Sequence, residues 1–286
     1  LAWSLLIILG ITWGSSFFLI KIGLRIFSPL EVGLIRISSA GLFMAPFALL
    51  FLSRVKKRHI KYLLISGFIG SLIPAILFAI AETSISSALA GILNAFTPFS
   101  VAMMGYFLYK IRLSSRQMMG LSAGLIGILI ISIGDLEENG QINFYAFFVI
   151  LATLGYGINL NLIKAKLQEL PALLISSASL FFTLPVTLTM LFFFTDFTHR
   201  FADPLFDYSL FALLGLGVVG TGLALIIFFY LVKIKSPVFS SLVTYIIPIV
   251  ALIIGLLDGE TVAFQDYAGM SIILIGILIT SKRTKN

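Results

Sequence analysis

Apolar residues run along this chain in long unbroken stretches, each about the length of a membrane-crossing helix, and polar residues gather in short connections between them. A bilayer core about 30 Å thick is crossed by roughly 20 apolar residues of helix. Ten such stretches occur, at about 3–24, 30–52, 61–81, 85–109, 117–134, 142–164, 170–194, 208–232, 236–257 and 264–281. All are continuously apolar, whereas strands of a membrane barrel alternate apolar with polar. The pattern predicts an all-α membrane protein with ten transmembrane helices.

Two stretches carry the same interruption. Residues 94–107 read NAFTPFSVAMMGYF and residues 244–257 read TYIIPIVALIIGLL, each with a proline about midway along the expected helix. Proline removes a backbone hydrogen bond and frees the carbonyl one turn earlier. That carbonyl belongs to Asn94 for Pro98 and to Thr244 for Pro248.

Compared with itself, the chain repeats. An offset of 150 residues pairs Gly67 with Gly217, Gly70 with Gly220, Ser71 with Thr221, Phe78 with Phe228, Ser86 with Ser236, Asn94 with Thr244, Pro98 with Pro248 and Gly105 with Gly255. An offset of 149 sets Gly120 and Gly127 on Gly269 and Gly276. An offset of 143 sets WGSSFFLIK (13–21) on YGINLNLIK (156–164), and SSAGLFMAP (38–46) matches SSASLFFTLP (176–185) with one residue of slippage. Apolar segments resemble one another through shared Leu, Ile, Gly and Phe, but here order is kept across five helices and rarer Pro and Lys are included. The expected units are residues 1–137 and 138–286. Five being odd, the second unit must enter the membrane upside down, and interrupted helices of such inverted repeats meet at midplane substrate sites.

Composition and charge sharpen this reading. The 286 residues are 59% hydrophobic and only 11% charged, with a mean hydropathy of +1.12, against roughly 25% charged in soluble domains. The net charge of +7 does not point to nucleic acid, because 15 of the 19 Lys and Arg fall in the loops between alternate helix pairs and in the C-terminal tail. By the positive-inside rule those loops and both termini are cytoplasmic. Connections on the other side are acidic or neutral, as in GDLEENGQ (134–141) and LDGETVAFQD (257–266). Cysteine is absent, which excludes disulfides and thiol chemistry. The first residue is Leu1, so a trimmed start is expected, and the long first apolar run reads as a helix rather than a cleaved signal.

The chain resembles the EamA-like transporters of the drug/metabolite transporter superfamily over essentially its whole length. The likeness rests on WGSSFFLIK in the first helix, Arg36 and Pro46 in the second, the proline-centred fourth and ninth helices, and GLLDGETVAFQDYAGMSIILIGILI (255–279). One departure is Lys110, where the family often has a glutamate and where the second half has Glu260. The resemblance implies a ten-helix bundle with a cavity lined by helices 1, 3, 4, 6, 8 and 9 that opens alternately to either side. It also implies export of small metabolites, amino acids among them, across a bacterial cytoplasmic membrane.

Individual residues admit two readings. Trp13 and Ser16 share a helix face, and the second copy presents Tyr156 and Asn159 there; cavity lining competes with an interfacial aromatic belt. Asn94, with Thr97 on its face, and Thr244 are hydrogen-bonding candidates near the prolines, against simple helix-helix contact, and Tyr245 beside Thr244 is a candidate aromatic wall of a pocket. Pro98 and Pro248 are expected pivots for a rocking motion. Phe78, Phe228, Tyr230 and Phe96 could wall an apolar pocket, although most of the 27 Phe must face lipid or fill the bundle. Asn161 lies on another face and is expected to bond a neighbouring helix. Arg36, a charge within a span, is expected to pair with Glu31 or Glu82 as latch or gate. Lys21 is expected to snorkel. The glycines at 120, 124, 127, 269 and 276 read as small-residue contacts. His59 and His199 fall on opposite sides, so neither a metal site nor a catalytic set is expected, and no cofactor. Substrate and lipid are the expected partners. A monomer is compatible with the sequence, which leaves the oligomeric state open. Another cargo (nucleobase, vitamin or drug), a lipid flippase and a partner-binding scaffold stay open as alternatives.

Overall fold

The computed structural model describes residues 2–111, 144–234 and 243–281, and, between 114 and 130, all but 117, 121, 125 and 128. Among them six helical segments are long and apolar enough to cross a membrane: Ala2–Gly23, Pro29–Arg54, Lys57–Ala81, Tyr145–Lys166, Ala172–Phe193 and Phe206–Phe228. They match the first, second, third, sixth, seventh and eighth expected helices. A seventh is made by Ser87–Asn94 and Thr97–Tyr109 together, bent by 42° at their junction. Val243–Leu257 covers the described part of the ninth, and Phe264–Ser281 covers the tenth. Much of the expected fifth helix, the connection 131–143, and residues 235–242 and 282–286 lie outside the described residues.

The first span breaks at Ser15 into α1 (Ala2–Gly14) and α2 (Ser16–Gly23). α3 (Pro29–Phe51) begins with a capping box: Glu31 N–H donates to Ser28 Oγ at 3.3 Å while Ser28 N–H donates to Glu31 Oε2 at 2.7 Å. The third span runs from α4 (Lys57–Gly67) through a π turn at Phe68–Leu72 into α5 (Ile73–Ala81). α6 (Ser87–Asn94) and α7 (Thr97–Tyr109) form the bent fourth span. In the rest of the chain α8 is Tyr145–Lys166, α9 Ala172–Phe193, α10 Phe206–Gly217, α11 Ala224–Ile234, α12 Val243–Leu257 and α13 Phe264–Ser281. A second π turn, Val218–Leu223, joins α10 to α11.

The two π turns begin at Phe68 and Val218, positions that the 150-residue offset pairs. Inter-helix contacts recur in the same way. α1 packs on α11 and α12, whereas α8 packs on α5 and α7. A Cβ added to Gly14 would meet Val250 of α12, and one on Gly157 would meet Ser100 of α7. Gly127 would touch the Gly269 carbonyl at 2.7 Å and Gly276 the Gly120 carbonyl at 2.8 Å, so these glycines are the close small-residue contacts expected of them. Glu31 lies 3.9 Å from Arg200, and Glu169 takes Arg58 at 2.7 Å. α3 and α9 lie against each other, with Ser38 Oγ donating to Thr187 Oγ1 at 2.9 Å. Buried hydroxyls hold their own helices as well: Thr153 and Thr183 donate to carbonyls three residues back. Large apolar side chains such as Leu50, Phe193, Leu257 and Phe264 stand outward, as a lipid-facing surface requires.

Candidate functional site

The π turns are where helices 1 and 6 meet the opposite half of the chain. An extra residue in a helical turn disturbs the i to i+4 ladder and turns carbonyls away from the axis. Trp13 on α1 takes one of them, its Nε1–H donating to Gly220 O at 3.0 Å. The indole rests on Phe228, ring centroids 5.3 Å apart. Ser16 is buried, donates to Thr12 O at 2.9 Å, and has its Oγ 3.2 Å from where a Cβ on Gly220 would be. Arg36 reaches the same turn from α3, its Nε donating to Thr221 Oγ1 at 3.0 Å.

At the other turn the partners come from α8. Tyr156 stacks on Phe78 at 6.2 Å with 26° between the rings, and Phe78 contacts Phe17 at 5.6 Å. Asn159 occupies the space beside Gly70, where any Cβ would collide with its Nδ2. Its Oδ1 is buried with no donor in reach among the described residues. Asn161 faces elsewhere and donates to Val101 O and Gly157 O at 2.9 and 2.8 Å, a helix-helix tie as its position implies.

The proline-centred candidates behave unequally. At Asn94 the freed carbonyl accepts the Thr97 hydroxyl at 2.8 Å, so Thr97 repairs the break that Pro98 opens at the start of α7. Pro98 therefore stands at a break instead of mid-helix, whereas Pro248 is inside the continuous α12. Phe96 is buried against Phe99 at 5.3 Å. Thr244 is half-buried on α12, and the side chain of Tyr245 lies outside the described residues. Tyr230 is 49% exposed, on the outer surface of α11 and apart from the aromatic group. Arg36 has no carboxylate within ion-pair distance among the described residues; Glu31 is instead spent on Ser28 and Arg200.

A second cluster closes one end of the bundle, at a cavity of about 350 Å³ lined by Lys21, Glu82, Ile85, Ser86, Ser87, Asp258, Gly259, Glu260 and Thr261. Lys21 Nζ binds Asp258 Oδ2 at 2.6 Å and Glu260 Oε1 at 2.7 Å. Glu260 also accepts Ser87 Oγ at 2.5 Å and the Ala88 N–H at 3.1 Å, which places its charge at the N-terminus of α6. Burial pushes this carboxyl up, but the bonds from Lys21, Ser87 and Ala88 outweigh it and hold it below the usual range. Lys21 was expected only to snorkel; its ammonium instead ties α2 to the α12–α13 connection. The acidic LDGETVAFQD connection was the available signal, but a partner over 230 residues away is not visible in local pattern.

Glu82, one residue past the span Lys57–Ala81, lines this cavity while nine-tenths buried, and neither carboxylate oxygen has a hydrogen-bond partner among the described residues. Burial, reinforced by Glu260, pushes its carboxyl well above the ordinary value, against the weaker pull of Arg36 and Lys21. At the opposite end His59, 2% exposed, accepts the Lys56 N–H on Nδ1 and places Nε2 2.5 Å from Glu169 Oε1. Arg58 completes this clasp with two 2.7 Å bonds. Among the described residues no group of three His, Asp or Glu is placed to hold a metal.

A model of the EamA-like transporter family matches residues 1–133 and again 143–282. The chain belongs to the EamA-like transporter family. It is 23% identical over 285 residues to an "uncharacterized transporter" of Archaeoglobus fulgidus, covering 98% of this chain and 99% of that protein. It is 24% identical over 280 residues to the "uncharacterized inner membrane transporter YedA" of Escherichia coli K12, covering 96% and 88%. A crystal structure at 12% identity superposes with a TM-score of 0.65 over 97% of this chain and 95% of that one, a likeness of fold. This EamA-like chain is thus a multi-pass membrane transporter.

Proposed function

We propose that this EamA-like protein exports small amphipathic metabolites, amino acids foremost, by alternating access across a bacterial cytoplasmic membrane. The observation that carries the reading is the matched pair of poles at the two π turns. Trp13 and Ser16 stand at one, and Tyr156 and Asn159 at the other, so each turn sets an aromatic ring beside a polar group from the opposite half of the chain. An aromatic wall suits a hydrocarbon or ring side chain, and the orphaned Asn159 Oδ1 suits an ammonium donor. Arg36, with no carboxylate within ion-pair distance among the described residues, suits a carboxylate.

The ten-helix inverted repeat, with units 1–137 and 138–286 and both ends cytoplasmic, belongs to the same proposal. It is supported by the double match of the family model, the π turns at one offset, and the reciprocal contacts of Gly120, Gly127, Gly269 and Gly276. The basic loops assign the Lys21 mouth to the outer side and the Arg58–Glu169 clasp to the inner side. Counterflow of a panel of radiolabelled amino acids in reconstituted vesicles tests the proposal. One or more should accumulate with wild type and not with Asn159→Leu. No accumulation of any amino acid would remove them as cargo.

A further inference from the structure

Glu82 is the one carboxylate lining the outer mouth to which no hydrogen-bond donor is assigned. Of the cations near it, Lys21 of α2 is held by Asp258 and Glu260, and Arg36 of α3 donates its Nε to Thr221 without reaching Glu82 at ion-pair distance. Of the hydroxyls lining the mouth, Ser87 Oγ donates to Glu260, while Ser86 Oγ accepts the Leu89 N–H as the cap of α6. The charged groups facing Glu82 are therefore Lys21, Arg36, and Glu260 with Asp258 beside it. An ionised carboxylate, nine-tenths buried without partner or donor, is strongly disfavoured. We propose that the Glu82 carboxyl is a proton-binding site, protonated while the Lys21 mouth is closed and ionised when that mouth opens.

The exchange balances simply. On opening, the O–H bond of Glu82 breaks, its proton passes to water through the cavity, and the carboxylate left behind is solvated or met by the Lys21 ammonium. Linkage is reciprocal: if closure raises the affinity for a proton, protons favour closure. The closed mouth is then favoured in acid and loses that preference as pH rises through the closed-state value. The coupling to an opening mouth rests on the transport reading above; the proton on Glu82 does not.

Infrared difference spectra of the purified protein in lipid nanodiscs test the site without any solute. Near neutral pH the wild type should show a protonated-carboxyl C=O stretch that shifts in heavy water, is lost in alkali, and is missing from Glu82→Gln. Every other carboxyl is common to both proteins and cancels in their difference. If Glu82→Gln does not fold, Glu82→Asp serves: it should move the band, and an unmoved band overturns the proposal. Coincident wild-type and Glu82→Gln spectra near neutral pH also overturn it. If ethylammonium then raised the melting temperature of wild type but not of Glu82→Gln, the site would be one for organic ammonium instead. Failure of the amino-acid panel leaves these spectra unaffected, so the two proposals fail separately.

Discussion

At the scale of single residues, the chain separates side chains that hold the structure from side chains that face the interior unspent. Trp13 is of the first kind, because its indole N–H satisfies a carbonyl that the π turn has released. Trp13→Phe keeps the ring contact with Phe228 but orphans Gly220 O, and should cost about 1 kcal/mol, read as a lower melting temperature in detergent. Asn159 is of the second kind. Its buried Oδ1 has no partner among the described residues, so Asn159→Leu removes an unpaired polar group and should leave the melting temperature unchanged or raised. The same variant should reduce counterflow of the transported amino acid at least ~10-fold, about 1.4 kcal/mol of binding. A fall in both quantities together would make Asn159 structural. The pairing of Asn94 with Thr97 shows why polarity alone does not mark a site: Thr97 is consumed locally by the carbonyl that Pro98 frees.

Among the helical elements, the π turns and the end clasps place the site. A Cβ on Gly70 has no room beside Asn159, so Gly70→Ala should destabilise by ~1–3 kcal/mol through overpacking, checked by thermal unfolding. Gly215, where a Cβ meets nothing within 4 Å, is the control in which Ala is harmless. The Arg58–His59–Glu169 clasp should respond to acid. The hydrogen bond with His59, then Arg58, holds the Glu169 carboxyl below its usual range. Its contribution is therefore complete above the unfolded value of about 4.3, and is lost as pH falls through the depressed folded value. The melting difference between wild type and Glu169→Gln should be present near neutral pH and vanish in strong acid. Most helices were legible in the chain because continuous apolarity has one solution in lipid. The breaks were not: nothing local separates Ser15, at a helix junction, from Ser39, within a helix. The glycine pairs 67/217 and 70/220 were visible as repeats, but not that they flank or lie in π turns, because that geometry depends on the helices packed against them.

For the molecule as a whole, the question is whether the two halves move against each other. The aromatic and polar poles were readable because helices 1 and 6 carry their own sequence echo. The closed mouth was not, because Lys21, Asp258 and Glu260 look the same in sequence whether they meet solvent or one another. In the structure that mouth is drawn shut by α6 lying on α12, where Ala88 faces Gly255 and Gly91 faces Ala251. Alternating access requires these two helices to part at this end. A Cβ on Gly255 would lie 2.9 Å from that of Ala88 and 2.5 Å from Glu260 Oε2; the first is closer than the ~3.5–4.5 Å of a disulfide, so a bond needs a small parting of the helices and a swing of the flexible Glu260 carboxylate. The chain has no cysteine of its own, which makes Ala88→Cys with Gly255→Cys a clean pair. Oxidised protein should lose counterflow of the transported amino acid and regain it on reduction, while either single variant stays active whatever the redox state. Undiminished counterflow through the oxidised pair would mean that the solute leaves without parting α6 from α12. The Lys21 mouth would then have to open elsewhere, and its cluster would be a permanent tie holding helices 1, 4 and 9 together.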